Sequence, residues 1–390
     1  MQKTIATLVA LIGACAVLLS TGLVAQPGNP SKGLTEAPRL AAIYDTILEA
    51  RFDEARQQLS RACPPAPAPA CDALREVALW WEIQQDLSSR ALDRRLEAAT
   101  AAAIASATRW TAREPDRGEA WFYLAGAYAP LSQWRVLRGE RLAAARDGKR
   151  VKDALERALA LDPALQDAWF GIGLYHYYAD VAPTALKVLR FLLLLPGGDR
   201  VEGLREMERT RERGALLRGE ADFQLHWLYL WYEDRPERAL ELLRGLDVRY
   251  PSNPLFLQRI ATVEHEYFSN HQASAASWQA LIDRATRGTV SLPALAEARG
   301  RVGLAAEATE VGEPSRAIAL LEPLVAARPS APYGIVALAH LTLGDAYAAA
   351  DNRQKALASY DAAIATAPSD DPDHVRPRAR DGRARTRSRR

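Results

Sequence analysis

The feature that most constrains this chain is a recurring interval. Pro115 stands six residues before Trp121, and Pro163 stands six residues before Trp169. In each case the proline follows one apolar-periodic helix and the tryptophan opens the next, because proline stops a helix and its neighbourhood favours extended backbone. Near the C-terminal end, LGDAYAAADNRQKALASYDAAIATAP places Leu343, Gly344, Tyr347, Ala356, Tyr360, Ala363 and Pro368 at spacings that fit two antiparallel helices. Gly344 and Ala356 let the backbones approach, Tyr347 and Tyr360 fill the space beside them, and Pro368 ends the second helix. Similar marks recur upstream: Trp121, Leu124 and Tyr128 with Ala158 and Pro163; Trp169, Ile172 and Gly173; Ala239 and Pro251; Gly312, Ala317, Leu321, Leu324 and Pro329. Residues 40–62 and 72–115 read as helical hairpins with weaker marks. These amount to six or seven units, each of which buries its apolar face only against a neighbour. With 48% hydrophobic residues in 390, the chain has ample material for such a core.

The C-terminal unit resembles the tetratricopeptide repeat over all 34 positions, apart from His340, where a tryptophan is usual, and Asp351, where a glycine is. The resemblance implies an all-α fold, a right-handed αα-superhelix built as a solenoid, and a platform for protein partners. In this family the first helix of each unit lines the concave surface. Carried onto this sequence, that implies a groove of Phe122, Phe170, Leu174, Tyr177 and Tyr178, joined by Leu228, Trp231 and Tyr232. Aromatic side chains supply contact area at low entropic cost and suit a peptide or an apolar helix; packing against an inserted helix is the competing use for several of them. The lysine and asparagine clamp with which some relatives hold C-terminal carboxylates is absent at these positions.

One stretch departs from simple repeats. FLLLLPGGDR ends a fifteen-residue segment, VAPTALKVLRFLLLL, which is too short to span a bilayer and carries Lys187 and Arg190. Pro183 suits a first helical turn, Pro196-Gly197-Gly198 ends a helix, and Asp199 with Glu202 caps the next. An apolar helix at 182–195 is therefore expected between the two helices of one unit. The pattern GIGLYHYYADVAPTALKVLRFLLLLPGGDRVEGL resembles the corresponding stretch of the inclusion-body clearance and outer-mitochondrial-membrane tetratricopeptide family, over about forty residues. That likeness implies architecture and no catalytic motif.

The first residues, MQK and then an apolar run over 5–19 followed by small residues, have the layout of an export signal, with cleavage after Ala25 or Gly22. Export to the periplasm is expected; a retained apolar segment over 5–25 would instead anchor the chain in a membrane. An oxidising compartment lets Cys63 and Cys71 pair across PPAPAPA, provided the segment turns, since a fully extended polyproline spacer would hold the sulfurs too far apart. A stiff spacer with two free thiols is the alternative.

Net charge is +2, but the last fifteen residues hold eight arginines against one aspartate, so the rest is mildly acidic. Without basic residues clustered among stacking aromatics there is no nucleic-acid footprint. Residues 369–390 read as a disordered, solvated tail. Catalytic motifs are missing. Gly171-x-Gly173 has no third glycine and is explained by helix contact, no Gly-x-Ser-x-Gly elbow occurs, and no cofactor is implied. His265 and His271, set among Glu264 and Glu266, fail the His-Glu-x-x-His pattern because Ser269 stands at its last position. A helical separation of six would put the two imidazoles on different faces, so no metal site is expected.

The sequence thus divides into a signal (1–25), a linker (26–36), N-terminal hairpins (37–115), central units with the inserted helix (116–288), C-terminal units (289–368) and a tail (369–390). The expected function is non-catalytic binding of a protein or peptide. The rival is a membrane-associated assembly factor held by its first segment or by the inserted helix.

Overall fold

The computed structural model describes residues 32–181 and 197–388. Among them are seventeen helices and no strand. They are α1 (Ala37–Leu48), α2 (Phe52–Ala62), α3 (Ala68–Gln84), α4 (Asp93–Arg113), α5 (Gly118–Leu137), α6 (Arg141–Leu161), α7 (Ala168–Val181), α8 (Arg200–Arg213) and α9 (Arg218–Trp231), followed by α10 (Pro236–Arg249), α11 (Pro254–Glu266), α12 (His271–Thr286), α13 (Pro293–Glu310), α14 (Pro314–Ala327), α15 (Ile335–Ala349), α16 (Arg353–Thr366) and α17 (Val375–Ser388). Taken in order, α1 to α16 pack as eight hairpins, one or two more than the repeat marks reveal. The hairpin that carries none of the marks is α11–α12. The expected export segment at 1–25 and the inserted apolar helix at 182–195 lie outside the described residues.

Helix ends follow local chemistry. Pro236, Pro254, Pro293 and Pro314 each open a helix, where the missing N–H is not needed. The Asp199 side chain accepts from the N–H groups of Val201 and Glu202, as expected, and those bonds hold its carboxyl below the usual carboxylate range. Between units, Asp167 accepts hydrogen bonds from the N–H groups of Ala215, Leu216 and Leu217 at 2.8 to 2.9 Å, so one carboxylate from the start of α7 fixes the approach to α9. The expected contact role of Gly173 is realised against α8. A Cβ built at Gly173 would fall 2.6 Å from the carbonyl oxygen of Gly203, and one at Gly203 would fall 2.6 Å from that of Gly173. The backbones of α7 and α8 therefore meet without side chains between them.

Two segments differ from the sequence reading. The tail is helical: Asp371 accepts from the N–H groups of Val375 and Arg376 and so caps α17. Arginine is a good helix former, and the small residues Ala379 and Gly382 turn toward α16, where Gly382 abuts the ring of Tyr360. Arg383 adds an ion pair to Asp361. Charge pattern alone missed this because the buried stripe of α17 is made of small residues. The end of the linker is also held, with Gly33 donating to Asp162 and Thr35 donating twice to Glu119.

Cys63 and Cys71 form a disulfide with Cα atoms 6.4 Å apart. The spacer is shortened because α3 starts at Ala68, which places Cys71 in its first turn, where each residue advances about 1.5 Å rather than about 3.1 Å.

The largest departure is long-range. Tyr44 of α1 and Trp81 of α3 both donate to Glu220 of α9 at 2.9 Å. Trp81 packs on Phe223 and Phe256, with ring centroids 4.7 and 6.2 Å apart. Asn253 donates to the carbonyl of Leu48, Tyr250 to Asp45, and Ser252 and Ser291 to the carbonyl of Glu49. The first helices of the central units, expected to line an open surface, are thus covered in part by the N-terminal hairpins of the same chain.

Candidate functional site

The eight aromatic and leucine positions expected to line a groove divide by burial. Phe122, Phe170, Tyr177 and Leu228 are buried within the core, and Leu174 is half-buried against it. Tyr178, Trp231 and Tyr232 are exposed, at 40, 60 and 43%. The expected eight-residue groove is therefore corrected to three exposed rings, Tyr178 and Tyr232 in mutual contact and Trp231 stacked separately on Trp227. Phe122, Phe170, Tyr177 and Leu228 lie on the helix faces that pack against neighbouring helices, and a side chain used in that contact offers no surface to a partner.

The patch is built by the ends of α7 and α9. Tyr177, Tyr178 and Tyr232 form a triangle of edge-to-face rings with centroids 5.8 to 5.9 Å apart. Such tilted pairs match the electron-rich face of one ring to the positive edge of the next. Tyr177 anchors the triangle from below, its hydroxyl donating to Glu233 at 2.6 Å, while Arg200 sits 3.6 Å from the other oxygen of Glu233. Burial and the Glu233 carboxylate both push the Tyr177 phenol up. Helix α9 ends at Trp231, and Tyr232 takes up the capping conformation that turns it toward α7.

Trp231 belongs to a second group. Its ring lies 4.0 Å from that of Trp227, one turn earlier, and the guanidinium of Arg259 lies 4.5 Å from the Trp227 ring centroid. Burial, with repulsion from Arg299, brings Arg259 down to about 10, so it remains a cation at neutral pH and the stack is cation–π in character. Trp227 was not among the sequence candidates. Its separation of four from Trp231 was the signal that could have found it.

No protein-family model and no curated protein matches the chain. Solved structures do. It is similar to the APC/C hetero-tetramer Cut9–Hcn1 at 13% identity, over 89% of this chain and 55% of that one, with a TM-score of 0.48. It is also similar to Naa15/Naa10 bound to HypK-THB, at 17% identity over 93% of this chain and 54% of that one, TM-score 0.34. The TPR domain of P58(IPK) is a third, at 13% identity over 81% and 97%, TM-score 0.21. The chain spans about half the length of the first two chains. At these scores the similarities decide nothing about what this chain binds.

One further expectation is overturned. His265 and His271 do not belong to one helix: α11 ends at Glu266, α12 begins at His271, and the turn between them folds the two imidazoles to a centroid separation of 5.3 Å.

Proposed function

We propose that this chain is an exported, tetratricopeptide-type scaffold that binds a protein partner through the aromatic patch of Tyr178, Trp231 and Tyr232. The observation that carries the reading is their exposure at the ends of α7 and α9, over Tyr177, which is buried, and Trp227, which is half-buried. Isolated apolar residues on a surface mean little. A rigid group of large aromatics is the composition of an interaction hot spot. The stacked hairpins supply the rigidity. The absence of catalytic motifs from the sequence agrees with a binding role, and the signal-like first segment is what supports proposing that role for the periplasm.

The test is in-cell crosslinking of wild type beside a Tyr178→Ala, Trp231→Ala, Tyr232→Ala variant, with circular dichroism to verify folding. Specific loss of a partner from the folded variant supports the reading; an unchanged set of partners refutes the patch. Tyr177 is left intact because it is core. Osmotic-shock fractionation tests localisation, and retention in salt-washed membranes would favour a membrane-associated assembly factor held by the first segment or by residues 182–195. Among the described residues no helix is long and apolar enough to cross a membrane.

A further inference from the structure

We infer that His265, His271, Glu307 and Glu310 form a binding site for a divalent transition-metal ion of the zinc class, clamping three successive helices, α11, α12 and α13, where their ends meet. His265 lies in the last turn of α11, His271 is the first residue of α12, and the two glutamates lie three apart in the last turn of α13. One donor atom from each of the four falls within 4.8 Å of every other. His265 Nδ1 is 2.9 Å from Glu307 Oε1 and 3.9 Å from Glu310 Oε2; His271 Nδ1 is 2.9 Å from Glu307 Oε2 and 3.5 Å from Glu310 Oε2. The two distances to the shared Glu310 Oε2 lie a little above the edge of about 3.3 Å expected for a tetrahedron with metal–ligand bonds near 2.0 to 2.1 Å, while each imidazole contacts a different oxygen of Glu307.

Two independent details point to a ligand. The Nδ1 atom of His265 is fully buried and, despite its nearness to Glu307, makes no hydrogen bond among the described residues. A buried imidazole nitrogen that lies beside a carboxylate without hydrogen-bonding it is well placed to share a cation with it. Glu307 is itself buried and is oriented by Ser274, whose hydroxyl donates to Oε1 at 2.6 Å. Hydrogen-bonded support of this kind fixes a ligand's aim. His271 Nδ1, within hydrogen-bond distance of Glu307 Oε2, gives up that contact when a metal takes its place.

Chemistry selects the ion. Two imidazoles with two carboxylates suit zinc and its first-row neighbours, whereas calcium and magnesium favour oxygen-only shells. Four protein ligands close a tetrahedral site and leave no position for substrate, so the role is structural. The ion would join the turn of the α11–α12 hairpin to the end of α13, where the next hairpin turns.

The test uses the full chain made without a polyhistidine tag and stripped by a chelator. Zinc chloride is titrated by calorimetry, cobalt(II) reports geometry through its visible spectrum, and elemental analysis gives stoichiometry. The expected result is one ion per chain, a tetrahedral cobalt spectrum, and a rise in melting temperature on adding zinc. His271→Gln and Glu310→Gln, at partly exposed positions, should each weaken binding by at least about tenfold and abolish the rise, while the metal-free variants keep their helical dichroism. If one variant fails to fold, the other decides. No zinc binding by wild type, or binding that both variants retain unchanged, overturns the site.

Discussion

Gly203 shows how much a single hydrogen in place of a methyl can decide. The atoms a Cβ would meet there are the carbonyl oxygen of Gly173 and the amide nitrogen of Tyr177, both backbone, so neither can swing aside. Gly203→Ala should therefore lower unfolding free energy by about 1 to 3 kcal/mol in urea titrations. Gly245→Ala is the control. It lies on the exposed face of α10 with nothing within 4 Å of its would-be Cβ, and the substitution should stabilise by roughly 0.5 to 1 kcal/mol. Glu220 carries a second residue-scale prediction. Burial raises its carboxyl, against the opposing pull of Gln224, Tyr44 and Trp81. A carboxyl whose folded value lies above its unfolded one favours the folded state most when protonated. Wild type should thus lose stability relative to Glu220→Gln as pH climbs from the ordinary carboxylate range through the raised value. Denaturant midpoints of both proteins across mildly acid pH check the sign, and a pH-independent difference would refute it.

Helices and their junctions carry the next set of expectations. The Cys63–Cys71 bridge closes a short loop between α2 and α3, worth about 2 to 3 kcal/mol in the chain-entropy account. Cys63→Ser should show that loss in urea, and reductant should reproduce it in wild type without further weakening the variant. At the other end, Tyr360 is held between Gly344 and Gly382 and donates to Asp345 at 2.8 Å. Removing 375–390 uncovers that ring and should cost on the order of 2 kcal/mol, read as a lower melting temperature. A tail with no structural role would leave it unchanged. The arginine run by itself carries the pattern of a solvated tail; what makes α17 a helix is the Asp371 cap and a small-residue stripe fitted to one tyrosine.

Across the whole described chain, the stack is closed on itself. In a simple solenoid each unit touches only its neighbours, and unfolding can proceed from the ends. Here Trp81 ties α3 to α9 and α11, and the end of α1 is bonded to residues 250–253 and 291. Unfolding followed by tryptophan fluorescence and by far-ultraviolet dichroism should therefore coincide in one transition. Trp81→Ala, which removes a fully buried indole at a cost of about 3 to 5 kcal/mol, should split the two probes. Separate transitions in wild type would refute the coupling.

The sequence by itself determined the local grammar: helix class, the Pro-to-Trp register, the Asp199 cap, and the pairing of Cys63 with Cys71 as one of two options. Those depend on neighbours within a few turns, where spacing and residue type are physically sufficient. Tertiary structure alone decided which aromatics are surface. Phe122, Phe170 and Tyr177 share their residue class with Tyr178, Trp231 and Tyr232, and only the placement of neighbouring helices separates buried rings from exposed ones. It also decided that α1 and α3 cover the central units and that a turn joins His265 to His271, because both depend on contacts between segments that no local periodicity encodes.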